Sequence, residues 1–368
     1  ALAPMLYNVG IIIGTVWFTG GVNLFGWQIF DGGIMGVALG VVLGSFLQLI
    51  VSAVGLAGLG FDYNFKIYWR NKGFRKVLSL LPARSVDQGM DYVVSLVEVN
   101  LASRLADGTV RAYQQALTLH MMPINLIGVA ISNAAFPQLT EHLGEGRDDL
   151  FQKDLRSLLR IIFWMALPVS VVIFFTRGYV VHFISNGGVP LIAGILGCLV
   201  VAILFRTIYH MAARAFYARQ DTKTPLYISI FSITLNIILA IVLSMVLKMG
   251  AYGLAWAQST GAVLEVVVLL VVMNRQMPKL FDMTFVRAIF KMIIAGTITG
   301  VVCYIAVLIM PFRYHDDSFF SAFPKFAIIS FVSFGAYAAA SKWLKLPEID
   351  PILARLKKVL FGRLEFKG

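Results

Sequence analysis

Residues 82–108 read PARSVDQGMDYVVSLVEVNLASRLADG, and the reading of this stretch settles the fold class. The chain on either side is apolar enough for a membrane, yet the stretch holds Arg84, Asp87, Asp91 and Glu98. At about 100° per residue, Arg84, Asp87, Gln88, Asp91, Ser95 and Glu98 project within an arc of about 100°. Val86, Val93, Leu96 and Val97 occupy the other directions. This is an amphipathic helix. An ionisable group at mid-bilayer costs at least about 2.5 kcal/mol on insertion scales, so the polar face must meet protein or water rather than lipid.

The rest of the chain supplies the membrane. Of 368 residues, 59% are hydrophobic and 14% charged, with a mean hydropathy of +0.81. A soluble domain is closer to half apolar and a quarter charged. Ten stretches are long and apolar enough for a span: 4–22, 33–57, 77–104, 110–137, 158–176, 190–214, 225–247, 251–273, 287–310 and 320–341. The expected fold class is therefore an all-α polytopic membrane protein with about ten transmembrane helices. The net charge of +12 does not imply nucleic acid, because the basic residues do not cluster with stacking aromatics. Cys198 and Cys303 lie in apolar runs without metal-ligand spacing and read as small buried hydrophobes. Loop acids such as Asp148, Asp149, Asp221 and Asp282 are scattered and read as helix caps or surface charges, so no enzyme is expected.

Basic residues set the orientation. The segments 60–76, 138–160, 214–224, 274–291 and 342–368 carry 23 Lys or Arg between them, against five in the alternate loops. Positive-inside bias then puts both ends of the sequence on the cytoplasmic side. Beyond the last span, 350–366 reads as an interfacial helix, opened by Asp350-Pro351, with Ile352, Leu353, Leu356, Leu360 and Leu364 on one face. A solvated tail helix is the alternative.

Residues 33–48, GIMGVALGVVLGSFLQ, align without a gap to residues 250–265, GAYGLAWAQSTGAVLE, sharing two-lobed character with many transporters. If they are one repeat, four spans precede the second copy and none precedes the first. The expectation is a chain with 1–57 as the last two helices of a first lobe, 77–273 as a complete six-helix lobe, and 287–341 as two additional helices.

More polar side chains lie within the spans. Arg111, Gln114, Gln115, Thr118, Asn125, Ser132 and Asn133 fall on one side of the fourth span, unless Pro123 kinks it and shifts the later ones. His120 projects away from them as a packed residue. Arg206 and His210 are one turn apart in the sixth span. Either the charges neutralise one another to lock helices together, or they line a hydrated cavity for a charged solute. The surplus of acids over bases on 84–98 favours the cavity, with Arg84, Asp87, Gln88, Asp91, Glu98, Arg111, Gln114, Gln115, Thr118, Arg206 and His210 as its candidate residues.

Three segments, RAFYARQDTKTP (214–225), INLIGVAISNAAFPQLTEH (124–142) and NLASRLADGTV (100–110), resemble the MurJ/MviN family of lipid II flippases, within the multidrug/oligosaccharidyl-lipid/polysaccharide exporter superfamily. The resemblance runs from residue 1 to about 310 and matches this chain to helices five to fourteen of fourteen. It implies alternating-access export of an undecaprenyl-pyrophosphate-linked peptidoglycan precursor across the bacterial inner membrane, with membrane lipids and cell-wall synthesis proteins as partners and nucleic acid as none. The family's essential eighth-helix arginine falls at Thr118, and the acid before it at Leu117. Some members bind a cation in the second lobe; Glu98 and Asn236 match two of those positions, and Ala240 replaces a further acid. No cofactor is implied beyond Na+ or H+ coupling. Export of another lipid-linked oligosaccharide or a cationic drug, and a non-transporting scaffold, are the alternatives.

Overall fold

The computed structural model describes residues 3–24, 27–30, 32–56, 69–184, 189–278, 280–312 and 319–350. Among the described residues ten long helices follow one another: α1 (3–18), α2 (Ile34–Leu56), α3 (Lys72–Ser103), α4 (Thr109–Gly144), α5 (Asp148–His182), α6 (Val189–Ala218), α7 (Lys223–Val246), α8 (Ala251–Gln276), α9 (Met283–Ile309) and α10 (Phe319–Trp343). Each coincides with one of the ten expected spans. Eight are long and apolar enough to cross a membrane, and the apolar parts of α1 and α3 are shorter, at Met5–Phe18 and Tyr92–Ser103. This is a multi-span membrane protein. The sequence reading did not anticipate a short antiparallel hairpin, β1 (Val22–Leu24) with β2 (Trp27–Phe30), between α1 and α2. The interfacial helix expected over 350–366 lies outside the described residues.

The chain divides into two compact units, Ala1–Arg75 and Lys76–Gly368. In the first, α1 and α2 meet through glycines. A Cβ on Gly10 would stand 2.2 Å from the Gly44 Cα, and one on Gly14 would stand 2.4 Å from the Gly40 Cα. Small residues four apart let the backbones touch, which is how helices associate where lipid leaves no hydrophobic driving force between them.

The second unit is built around α6. Its run from Pro190 to Phe205 carries no charge, and at 1.5 Å per residue the 30-residue helix is about 45 Å long, enough to cross a bilayer core with its basic end outside. Pro190 sits in the first turn, where its missing N–H costs nothing. Ile195, Leu196, Leu199, Ile203, Met211 and Ala212 are fully buried, because α6 packs against α4, α5 and α8 together. In α4, Pro123 is followed by a π-helical turn at Ile124–Val129. Proline removes one backbone bond and crowds the preceding turn, and the wider turn absorbs both effects. The extra residue rotates the rest of the helix. Ser132 is therefore buried, donating to the Gly128 carbonyl, and does not continue the polar face of Arg111 as the sequence spacing had it.

Helices α9 and α10 pack on α5. At one end, Trp164 Nε1 donates to Ser341 Oγ at 3.0 Å, Arg156 pairs with Asp282 at 2.9 Å, and Arg160 pairs with Glu348. At the other, Tyr179 OH donates to the Met310 carbonyl at 2.6 Å beside Phe312 and Phe326. Asp282 caps α9 through the Phe285 N–H, and the Thr284 hydroxyl, that N–H and Arg156 hold its carboxyl below the usual range.

Candidate functional site

The polar interior of the second unit is organised by one stripe of α8. Gln258, Gly261 and Glu265 fall within about 60° of each other on the helix, and each meets a different neighbour. Gln258 Nε2 donates to Glu98 Oε2 on α3 at 3.3 Å. Gly261 receives α7: the Ser232 hydroxyl donates to its carbonyl at 2.9 Å, and a Cβ there would lie 3.2 Å from the Asn236 amide nitrogen. Glu265 Oε2 accepts from Arg206 Nη1 on α6 at 2.9 Å, while its Oε1 accepts from the Ser229 hydroxyl on α7 at 2.9 Å. The Tyr209 hydroxyl stands 3.2 Å from Ser229 Oγ, and the Arg206 guanidinium lies 5.8 Å from the centre of the Tyr209 ring.

Burial raises the stakes of these contacts. Glu98 is 1% exposed and Glu265 3%, whereas the Arg206 side chain retains 24%. Removing one partner of such a pair strands the other charge, which is far costlier than losing a surface salt bridge. Glu98 also faces the Tyr113 hydroxyl of α4, and the charge of Arg206 reaches Glu98, His120 and His210. Yet Glu98 Oε1, Tyr113 OH and Asn236 Oδ1 are buried without a partner in hydrogen-bond geometry. Such buried atoms are unusual in a packed interior, and two of them, Glu98 Oε1 and Asn236 Oδ1, belong to residues that meet α8.

The sequence-expected residues divide among several environments. The side chains of Arg84, Asp87, Gln88 and Asp91 lie outside the described residues, although all four belong to α3. Glu98 sits inside the helix packing rather than on an open wall. Arg111, Gln114 and Thr118 share an exposed face of α4, Gln115 is half-buried, and the Thr118 hydroxyl folds back to the Gln114 carbonyl at 2.9 Å. His120 is buried with Nδ1 3.1 Å from the Leu117 carbonyl, as a packed residue should be. His210 is half-buried beside Tyr209. Arg206, Glu98 and Asn236 are brought to the α8 stripe.

Glu265 itself was missed. The signal was legible, since GAVLEVVVLL (261–270) places a lone carboxylate in an apolar run, and such a residue in a span calls for a partner. Among the described residues no group of three or more His, Cys, Asp or Glu side chains gathers as a metal site. A crevice of about 700 Å³ among α5, α6 and α9 is lined by Leu167, Val171, Phe174, Phe205 and Tyr304 and is almost wholly apolar, which suits lipid chains rather than a charged headgroup.

Known proteins resemble this chain at the level of both sequence and fold. A probable lipid II flippase MurJ of Thermotoga maritima is 26% identical over 361 residues, covering 96% of this chain and 67% of that protein. One of Borreliella burgdorferi is 25% identical over 274 residues, 73% of this chain, so that this chain spans about half (52%) of that relative's length. The solved structure of a lipid II flippase MurJ in an inward closed conformation superposes with a TM-score of 0.68, at 23% identity, over 93% of this chain and 66% of that one. An outward-facing multidrug-resistance MATE transporter of the MOP superfamily matches more distantly, with a TM-score of 0.52, 11% identity, and coverage of 73% and 63%. The model of the family described as lipid II flippase MurJ matches residues 1–323, and the chain belongs to that family.

Proposed function

We propose that this protein moves an anionic lipid-linked precursor, of the lipid II type, across the bacterial inner membrane, without covalent chemistry. Two lobes would rock about a central path, with both ends of this sequence on the cytoplasmic side. Family membership supports the reading, and one observation carries it. Arg206 is held in the bundle interior by Glu265 of α8, whose other carboxylate oxygen accepts from Ser229 of α7, and there a charge-bearing side chain serves a solute or a conformational change rather than packing. A pyrophosphate headgroup leaving water needs such a cation. Arg111, on the exposed face of α4 with Gln114 and Thr118, is the second cation we assign to the path.

Coupling to Na+ or H+ belongs to the same proposal. The unpartnered oxygens of Glu98 and Asn236 fit a small hard cation or a proton. Ala240 offers no third side-chain donor, so backbone carbonyls and water would complete any Na+ shell. Sodium should raise the thermal unfolding temperature of the wild type and leave Glu98→Gln unmoved.

The decisive experiment is rescue of a flippase-depleted bacterium by the full-length protein. Wild type and Thr118→Arg should rescue, and Arg111→Ala should not. Failure of the wild type despite stable membrane expression would remove the lipid II assignment. The two buried carboxylates beside Arg206, Glu98 and Glu265, favour a second reading, export of a cationic solute. Under it, neutralising Glu98 would hurt most and Thr118→Arg would impair transport.

A further inference from the structure

Glu265 and Arg206 are unequally placed. The carboxylate is 3% exposed and held at both oxygens, by Ser229 and by Arg206, whereas the guanidinium keeps 24% exposure. The anion of the pair is thus fixed and enclosed, and the cation is the member that can be approached. Guanidinium donors match carboxylate and phosphate oxygens with the same fork, so the two compete for the same N–H groups.

We propose that Glu265 is a positioning residue that keeps Arg206 paired until an anionic headgroup displaces it, and so sets which anions the site accepts. The proposal rests on the anionic-cargo reading above. An unpaired interior arginine would be unstable and would attract any passing monovalent anion. Paired to Glu265, it yields to a ligand that offers more negative charge than one carboxylate, as a pyrophosphate does. Ser229 and Tyr209 hold the carboxylate and the guanidinium in register from α7 and α6, so Arg206 can return to the same place when the ligand leaves.

Inorganic pyrophosphate is the probe. It is titrated calorimetrically against the purified chain in neutral-lipid nanodiscs at low salt. Glu265→Gln should bind pyrophosphate about tenfold more tightly than wild type, as expected when a competing close charge is removed. Arg206→Gln should abolish binding, and the double variant should behave like Arg206→Gln. Glu265→Asp, which keeps the charge but draws it back by one methylene, should give a smaller gain and carries the test if the Gln variant does not fold. An unchanged or weaker affinity in a folded Glu265 variant would overturn the proposal, as would a gain that persists without Arg206. A merely structural Glu265 would lower thermal stability and leave no Arg206-dependent gain. Failed rescue in the bacterium with the gain intact removes the flipping reading alone, whereas intact rescue with no gain removes this one alone.

Discussion

The α1–α2 and α7–α8 hairpins are built to one plan and filled with opposite chemistry. In each, the first helix ends in a π-helical turn, Gly14–Phe18 or Val242–Val246. In each, a glycine early in the second helix presses against that turn. A Cβ on Gly36 would meet the Phe18 carbonyl carbon at 2.4 Å, and one on Gly253 the Leu243 carbonyl carbon at 2.6 Å. Gly36 and Gly253 are equivalent in the 33–48 and 250–265 alignment, so the repeat seen in the letters is also a repeat in packing. The difference comes further along. Val41, Gly44 and Gln48 of α2 correspond to Gln258, Gly261 and Glu265 of α8. Where α2 seats Gly44 on the backbone of Tyr7 and Gly10, α8 seats Gly261 on the Asn236 side chain and uses the flanking positions to hold Glu98 and Arg206. The same hairpin thus serves once as an apolar zip and once as the spine of a charged site.

The largest test of that contrast is loss of charge at the spine. Arg206→Gln removes the cation paired with the buried Glu265 and should cost about 3 kcal/mol of stability, as breaking a buried pair does. Gln48→Leu, at the position equivalent to Glu265, should stay within about 0.5 kcal/mol. Thermal unfolding in detergent compares them, and equal losses would erase the distinction between the hairpins. The second test concerns what each glycine touches. Gly44→Ala drives a Cβ to 2.4 Å from the Tyr7 carbonyl oxygen, backbone that cannot yield. It should cost on the order of 1–3 kcal/mol. Gly261→Ala meets only Asn236 side-chain atoms at 3.2 Å and beyond, which can shift, and should cost less. If it costs as much, Asn236 is as fixed as backbone.

These contrasts mark how far the sequence could be read. Most of the helices were legible because uninterrupted apolar length is a strong signal, α3 was legible because its charges share one face, and glycine spacing gave the repeat. The β1–β2 hairpin was not, since its first strand begins at Val22, within the expected first span, and only ten residues, 23–32, were left between that span and the next. On α4, extrapolating 100° per residue past Pro123 misplaced Ser132, because a π turn breaks the periodicity on which the projection depends. The charged face of α3 drew attention to Glu98, but periodicity within one helix cannot name partners on another. Gln258, Ser229 and Glu265 come from helices that look ordinary alone, and only packing brings them to Glu98 and Arg206.

The smallest test lies at the start of the α7–α8 hairpin. Helix α7 is preceded by Asp221, whose Oδ1 accepts from the Thr224 N–H at 3.0 Å and whose Oδ2 accepts from the Thr224 hydroxyl at 2.6 Å. Partial burial pushes this carboxyl up, but the Thr224 bonds, with Gln276 and the Lys223 N–H, outweigh it and hold the carboxyl below its ordinary value. Because the folded-state value is depressed, the cap stabilises α7 fully above the ordinary carboxylate range and loses that contribution as pH falls through the lowered value. Asp221→Ala should therefore cost about 1 kcal/mol at neutral pH, the usual worth of an N-terminal cap. The gap between variant and wild type should shrink steadily below about pH 4. A gap that stays constant down to the acid limit would mean that Asp221 acts through shape rather than charge.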